Sequence, residues 1–421
     1  MNIGFDAKRA YHNNTGLGHY SRNLLTALSE YYPQHKYYLF NPEASNLFGP
    51  VNENMYEVQP VSFFDKMFTS AWRSSWVTKD LKKLKIDLYH GLSHEIPIGI
   101  QKTGIKSVVT IHDLIHERFP EQYTYADAAI YRKKFRNACN HADKIIAISE
   151  QTKKDIIEFY GVTENKINVC YQSCNPAFAE KVNEEERIRV KEGYGLPEQF
   201  FLYVGSVIER KNLLNICKAL NLLKNELNIP LVVIGDGGSY KKKVKEYIRQ
   251  NGLTNKVIFL SENEQTTSFT YRWRLLEYEE GIFRYDSKEQ TTKEDEDALL
   301  ESSMKLDLIK NSSADFPAIY QSAVAMIYPS FFEGFGIPVL EALWSKLPVI
   351  TSKVSCLPEA GGDGAYYVNP ESAGEIAAGM KKIYSDKDFA NTMKEKGWQH
   401  AQNFTAQKHA ESVMNVYKNI L

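Results

Sequence analysis

Short apolar runs alternate with amphipathic stretches from the first residues onward. Asn2 to Phe5, Lys36 to Phe40, Ile86 to His90, Ser107 to Ile111, Lys144 to Ser149 and Ile167 to Tyr171 have the length and composition of buried strands. The 3.6-residue periodicity of Tyr20 to Tyr31, Thr124 to His141 and Glu150 to Tyr160 predicts helices between some of them. A polar, charged segment from Ala179 to Gly195 then interrupts the pattern and ends at Leu196-Pro197, where a linker is expected. The alternation restarts with Phe201 to Gly205, Leu231 to Gly235, Val257 to Leu260, Ala325 to Tyr328, Val349 to Thr351 and Ala365 to Val368. Strands alternating with helices mean parallel sheets with helical crossovers. The expected fold class is therefore α/β, with two doubly wound domains, 1–180 and 198–403, facing a central cleft. At the end of the chain, Ala406, Ala410, Val413, Tyr417 and Ile420 share one helical face. That helix, within 404–421, is expected to return to the first domain.

One segment does not fit. From Glu264 to Ala314 the chain carries threonines, mixed charges and aromatics where a short strand-to-helix loop would suffice, so it is read as an insertion. It contains Asp295-Glu296-Asp297, an Asp-x-Asp spacing able to hold a divalent cation, but no apolar strand flanks it and a solvated charge run explains it as well.

Composition narrows the class. The chain has 421 residues, 43% hydrophobic and 24% charged, with a formal net charge of -1, which gives no global argument for nucleic acid or a membrane as a partner. Five cysteines without C-x-x-C spacing read as reduced thiols, and no apolar run approaches a membrane span, so a cytoplasmic protein is expected. Phe63 to Lys85 interleaves Phe64, Phe68, Trp72 and Trp76 with Lys66, Arg73, Lys79, Lys82, Lys83 and Lys85. This suits either a core-facing helix or peripheral contact with a membrane at its inner face.

The richest chemistry lies in Glu333-Gly334-Phe335-Gly336-Ile337-Pro338-Val339-Leu340-Glu341, between the strand Ala325 to Tyr328 and a helix. Gly334 and Gly336 allow backbone amides close to a ligand, and the positive end of a helix favours a phosphate there. Glu333 and Glu341 would repel phosphate, so their expected work is accepting hydrogen bonds from hydroxyls, as the carboxylate holding a ribose diol does. One phosphate pocket with two hydroxyl-reading carboxylates fits a nucleotide sugar; a capped helix with two solvated glutamates would carry the same spacing. Arg210 and Lys211, in the loop that opens at Gly205, stand after a strand of the second domain, where a guanidinium and an ammonium can neutralise a diphosphate. His112, in Ile111-His112-Asp113, ends a strand of the first domain and could bond a sugar or shuttle a proton. Asn13 to Tyr20 contains Gly16 and Gly18 but lacks the third glycine of the dinucleotide fingerprint, and no acidic residue ends the following strand. Both features argue against a nicotinamide site there; a cleft-lining loop or a plain turn remains. His90, His94, His112 and His116 show no metal-ligand spacing.

Taken together, Thr15-Gly16-Leu17-Gly18, Ile111-His112-Asp113, Ala142 to Ser149, Gly205 to Asn212, Gly235-Asp236-Gly237 and Glu333 to Glu341 resemble the retaining glycosyltransferases of family 4 (glycosyl transferases group 1), which have the GT-B architecture. The resemblance covers nearly the whole chain except 264–314. It implies that Arg210 and Lys211 bind the donor diphosphate, Glu333 bonds the donor sugar, Glu341 holds the ribose, and Gly334 to Gly336 with Phe335 supply the amide turn. It also implies His112 beside the transferring sugar, Gly16 and Gly18 near donor and acceptor, and Gly205 and Gly235 in the donor site. The catalytic set is then His112, Arg210, Lys211 and Glu333. Transfer is expected to need no metal and no cofactor beyond the nucleotide sugar, with GDP-mannose as donor and a glycan or lipid-linked acceptor in surface polysaccharide synthesis. A nucleotide-sugar epimerase on the same scaffold, or a non-catalytic carbohydrate-binding scaffold, are the rival readings.

Overall fold

The computed structural model describes residues 1–262 and 314–421. The expected insertion, including Asp295 and Asp297, therefore lies outside the described residues, apart from Ala314 at its edge. The chain divides into two compact units: Met1–Pro176 with Glu333–Ile337 and Gln402–Leu421, and Ala177–Phe332 with Pro338–Ala401.

The first unit contains seven parallel strands, β1 (Asn2–Asp6), β2 (Lys36–Phe40), β3 (Met55–Val58), β4 (Leu88–Gly91), β5 (Lys106–Ile111), β6 (Lys144–Ala147) and β7 (Ile167–Val169). Their spatial order is β3-β2-β1-β4-β5-β6-β7. Register is set by pairs such as Ile3 with Tyr37 on one side of β1 and Ile3 with Leu88 on the other. The second unit has six, β8 (Phe201–Val204), β9 (Leu231–Ile234), β10 (Val257–Phe259), β11 (Ala325–Tyr328), β12 (Val349–Ser352) and β13 (Ala365–Val368), in the order β10-β9-β8-β11-β12-β13. The central strands β4, β8, β9, β11 and β12 are buried at every position, as expected for sheets covered by helices on both faces.

The α/β expectation holds, and the strands differ from those anticipated mainly at their ends. Among the elements that were not anticipated, two show why. Met55–Val58 is an edge strand whose Tyr56 and Glu57 face solvent, so it lacks an apolar run. The segment 179–195, expected as a polar interruption ending in a linker at Leu196-Pro197, contains the helix Glu184–Tyr194. Few apolar positions mark it, but its ends are well specified: the Asn183 side chain accepts from the Glu186 N–H, Gly195 closes it in the left-handed conformation, and three glutamates fill the first turn. Tyr194 and Arg189 both bond Asp315, tying this helix to Phe316–Ser322.

The last helix, Ala406–Lys418, is capped by Thr405, whose hydroxyl accepts from the Lys408 N–H. It packs on Gly16–Tyr31 in the first unit, as its apolar face foretold, burying Ala410, Val413 and Tyr417. Tyr417 is fully buried, and its hydroxyl reaches His90 Nδ1 at 2.5 Å, while His90 Nε2 meets the Thr110 hydroxyl at 2.8 Å. Removing one partner of such a pair leaves a buried polar atom unsatisfied. Tyr417→Phe is therefore expected to cost about 1–3 kcal/mol, read as a lower urea midpoint for the transition that reports the first unit.

Candidate functional site

In the second sheet the chain order reverses at the boundary between β8 and β11, where Ala325 pairs with Phe201 and Met326 with Leu202. Loops leaving the carboxyl ends of strands diverge at such a boundary and leave a crevice for ligands. The loop after β8 is Gly205–Asn212, and the one after β11 runs through Pro329 to Phe332 into the glycine turn. Gly205–Asn212 and Pro329 to Phe332 thus leave the two strands that flank this switch point.

The loop after β8 ends in a 3-10 turn, Glu209–Lys211, followed by Asn212 in the left-handed conformation. Asparagine tolerates that backbone better than most residues. Its buried amide donates to the Pro329 carbonyl at 2.9 Å and the Pro370 carbonyl at 2.7 Å, joining the loops after β8, β11 and β13. With Asn212 anchored, the two preceding cations lie along the chain that leaves β11. The Arg210 guanidinium donates to the Phe332 carbonyl, and the Arg210 carbonyl accepts from the Phe331 N–H at 2.8 Å. The Lys211 ammonium donates to the Tyr328 hydroxyl and sits 4.9 Å from that ring's centroid. Both cations therefore bear on Tyr328–Phe332, the stretch that delivers Glu333. Gly235, at φ 146°, packs under this loop: a Cβ there would lie 2.0 Å from the Gly205 carbonyl oxygen. No side chain fits, and the close backbone approach keeps the β8 and β9 loops together.

Glu341 lies in the helix Ile337–Trp344 and accepts a hydrogen bond from the Tyr320 hydroxyl at 2.8 Å. Burial pushes its carboxyl up to about 7, against the lowering effect of the Tyr320 bond. A carboxyl so placed is stabilised by any further hydroxyl donor. Tyr320 holds one of its oxygens in place.

In the first unit, His112 follows β5 and is buried. Its Nε2 bonds the Leu92 carbonyl at 2.9 Å, and Tyr20 meets its ring edge-on at 4.5 Å between centroids. Burial, the largest influence, pulls its pKa down to about 4 although the Leu92 bond opposes it, so the imidazole is neutral at pH 7 with its proton on Nε2. A neutral ring bonded in this way serves as a hydrogen-bonding group; proton shuttling would need a pKa nearer neutrality.

The turn Glu333–Ile337 also belongs to the first unit. Ser149 donates to the Gly334 carbonyl at 2.7 Å, and Thr152 lies 3.4 Å from the same oxygen and 3.2 Å from the His112 carbonyl. A Cβ on Gly334 would come within 2.2 Å of the His112 carbonyl oxygen, so glycine is required for this seating. Phe335 is buried against Tyr171 and Phe404, at 5.9 and 5.6 Å between ring centroids. Gly336 has φ 103°, and Glu333 is buried. His112, Glu333, Gly334, Phe335 and Gly336 are therefore brought together. Gly16 and Gly18 lie in the first turn of Gly16–Tyr31, which begins four residues before the anticipated start at Tyr20. Asn13 organises that entry: its side-chain oxygen accepts from the backbone N–H groups of Thr15 at 2.9 Å and Gly18 at 3.1 Å.

Asn13, Ser149, Thr152, Asn212, Tyr320 and Tyr328 were not anticipated. Only Ser149 had a sequence signal, as the N-cap of Glu150–Tyr160 with Thr152 three residues on. Asn13 acts on its own neighbours, Thr15 and Gly18, whereas Asn212, Tyr320 and Tyr328 act through partners further along the chain. Among the described residues, no group of three His, Cys, Asp or Glu is arranged to hold a metal ion.

Two all-parallel doubly wound sheets, each with its candidate residues on loops beyond the strands' carboxyl ends, define a GT-B protein. The structure of Anabaena Alr3699/HepE in complex with UDP-glucose superposes with a TM-score of 0.66 over 100% of both chains at 15% identity. Residues 14–178 match the family described as Glycosyltransferase Family 4, and 184–270 and 281–400 match Glycosyl transferases group 1. The chain belongs to the family 4 glycosyltransferases. It is 24% identical to O-antigen chain mannosyltransferase B of Escherichia coli over 82% of this chain and 77% of that protein. It is also 24% identical to O-antigen chain mannosyltransferase RfbU of Salmonella typhimurium over 69% of this chain, spanning 63% of that relative's length.

The raised Glu341 carboxyl makes a pH prediction. An acid with a higher pKa folded than unfolded holds more protons in the folded state between about pH 4.5 and 7, so its stability contribution is present below that window and lost as pH rises through it. Glu341→Gln should be near neutral at the acid end and stabilising by roughly 1–2 kcal/mol at pH 8. Thermal unfolding of both proteins at several pH values checks this: the gap should open as pH rises.

Proposed function

We propose that this glycosyltransferase moves a hexose, mannose in our reading, from a nucleotide sugar to a glycan or lipid-linked acceptor during assembly of a surface polysaccharide. The observation that supports it most is the seating of Arg210 and Lys211 on Tyr328–Phe332 at the switch point of the second sheet. Two cations at the carboxyl ends of parallel strands suit a pyrophosphate. The O-antigen mannosyltransferase relatives support mannose as the sugar, and GDP-mannose is the donor in our reading.

In this reading Arg210 and Lys211 neutralise the charge that develops on the departing diphosphate, and the amides of Gly334 to Gly336 at the helix start assist them. Glu341 takes the ribose hydroxyls and Glu333 the hydroxyls of the sugar. His112 hydrogen-bonds the sugar without taking its proton. Gly16 and Gly18 keep the first helix entry close to donor and acceptor, while Gly205 and Gly235 hold the donor loop. We assign retention of configuration: the acceptor oxygen bonds the anomeric carbon from the face that the phosphate leaves, and the leaving phosphate takes the acceptor's proton. No metal is required for these steps, so transfer should persist in a chelator.

A panel of UDP, GDP and ADP sugars, assayed for nucleotide diphosphate release and for the anomeric form of the product by NMR, tests the donor and the stereochemistry. Inversion of the free donor without acceptor would instead identify an epimerase. Lys211→Ala should lower turnover by about 10²–10³-fold. Near-normal transfer by that variant would refute the assignment, as would an inverted product for retention. Glu341→Ala should raise the nucleotide dissociation constant about tenfold or more, and an unchanged constant would remove its ribose role.

A further inference from the structure

Segment 61–85 of the first unit divides its aromatic residues between two directions. It consists of the helix Phe63–Met67, a turn at Thr69–Ala71, a π-helical turn Trp72–Trp76 and the helix Val77–Lys83. In an α-helix, Trp72 and Trp76 would share a face. The wider π turn instead aligns Trp72 with Val77: both are buried at 1% exposure, Trp72 donates to Asp80 at 2.7 Å, and Leu81 continues the inward face. Trp76 is released outward, where it meets Phe68 edge-on at 6.4 Å. Arg73 also turns inward, donating to both oxygens of Asp6 and to Glu95. Among the aromatic and basic residues of the segment, the core-facing reading is thus correct for Trp72 and Arg73.

What remains outward is strongly apolar. Val61 is 84% exposed, Phe63 75% and Phe64 65%, with Met67 and Phe68 beside them. A soluble surface rarely leaves so many large apolar side chains together. Ile98, also exposed, lies alongside, since its N–H donates to the Ser74 carbonyl at 2.7 Å. The cations of the same segment, Lys66, Lys79, Lys82, Lys83 and Lys85, are all exposed. Across 61–85 there are six cationic side chains and two acidic ones, in a chain of net charge -1. One acid, Asp65, is bonded to Ser62 as part of the helix cap, and the other, Asp80, holds Trp72.

We propose that this surface docks on an anionic lipid bilayer, with Phe63, Phe64, Met67 and Phe68 entering the headgroup boundary and the lysines resting on lipid phosphates. The pairing of exposed aromatic residues with unpartnered-face lysines is what selects this occupant: aromatic rings are favoured at the interfacial depth, and positive charge is attracted to an acidic leaflet. A second copy of the chain would bring the same lysines together and repel. Among the described residues no helix is long and apolar enough to cross a membrane, so the contact is peripheral. It keeps the chain at the surface where a lipid-linked acceptor would lie, and in that respect it extends the proposed function; the docking itself does not depend on transfer.

The test is co-sedimentation of the full chain with vesicles of phosphatidylcholine alone or mixed with phosphatidylglycerol, at low and high salt. The chain should partition at least tenfold more strongly onto the acidic vesicles, and salt should weaken that binding. A triple variant, Phe63→Ser with Phe64→Ser and Phe68→Ser, should lose at least tenfold in binding while keeping its circular dichroism, its melting temperature and its turnover on a water-soluble acceptor. Equal partition of the chain and the variant would overturn the proposal, as would indifference to lipid charge. A concentration-dependent dimer that the triple variant dissolves would also overturn it, assigning the surface to a second copy. Loss of binding with transfer intact separates this proposal from the catalytic one.

Discussion

The second unit depends on β8 and β11 lying side by side, although the chain makes β9 and β10 and a long further segment before returning. Their pairing, Ala325 with Phe201 and Met326 with Leu202, brings the β8 loop against the stretch after β11. Asn212 then locks the two loops through the Pro329 and Pro370 carbonyls. Its left-handed backbone is maintained because three segments converge on one buried amide. The direction of Arg210 and Lys211 is a consequence of that convergence, since both precede the anchored residue.

The first unit solves a comparable problem with hydroxyls. Ser149 and Thr152 open the helix after β6, and their side chains also take up the Gly334 and His112 carbonyls. A helix cap thereby doubles as a clamp on the glycine turn. Burial keeps His112 neutral, and with Nε2 committed to the Leu92 carbonyl its orientation is fixed. The imidazole is therefore held uncharged in one position. Glu341 is the complementary case: burial holds its carboxyl near neutrality, where a hydroxyl donor has most to gain.

Segment 61–85 shows why periodicity alone was ambiguous. Its aromatic and basic residues fit both a core-facing helix and an interfacial one, and the structure divides them, with Trp72 inward and Phe63, Phe64 and Trp76 outward. The π turn separates Trp72 from Trp76, and hydrophobic spacing does not reveal such turns because one inserted residue shifts the facing of everything after it.

The alternation of apolar strands and amphipathic helices, the glycine turn and the adjacent cations were all present in the linear order of residues, because strand burial, helix periodicity and close backbone approach are local demands on residue type. So was the return of the last helix, since an apolar face made of Ala410, Val413 and Tyr417 must be covered. The helix Glu184–Tyr194 was missed because its stability comes from its caps and from Asp315, not from an apolar stripe. The strand orders, and with them the position of each switch point, were decided only by tertiary structure. So were the roles of Asn212, Tyr320 and Tyr328, whose partners lie far along the chain. A local pattern states which surfaces must be buried, but which distant segment buries them depends on packing that no short window of sequence contains.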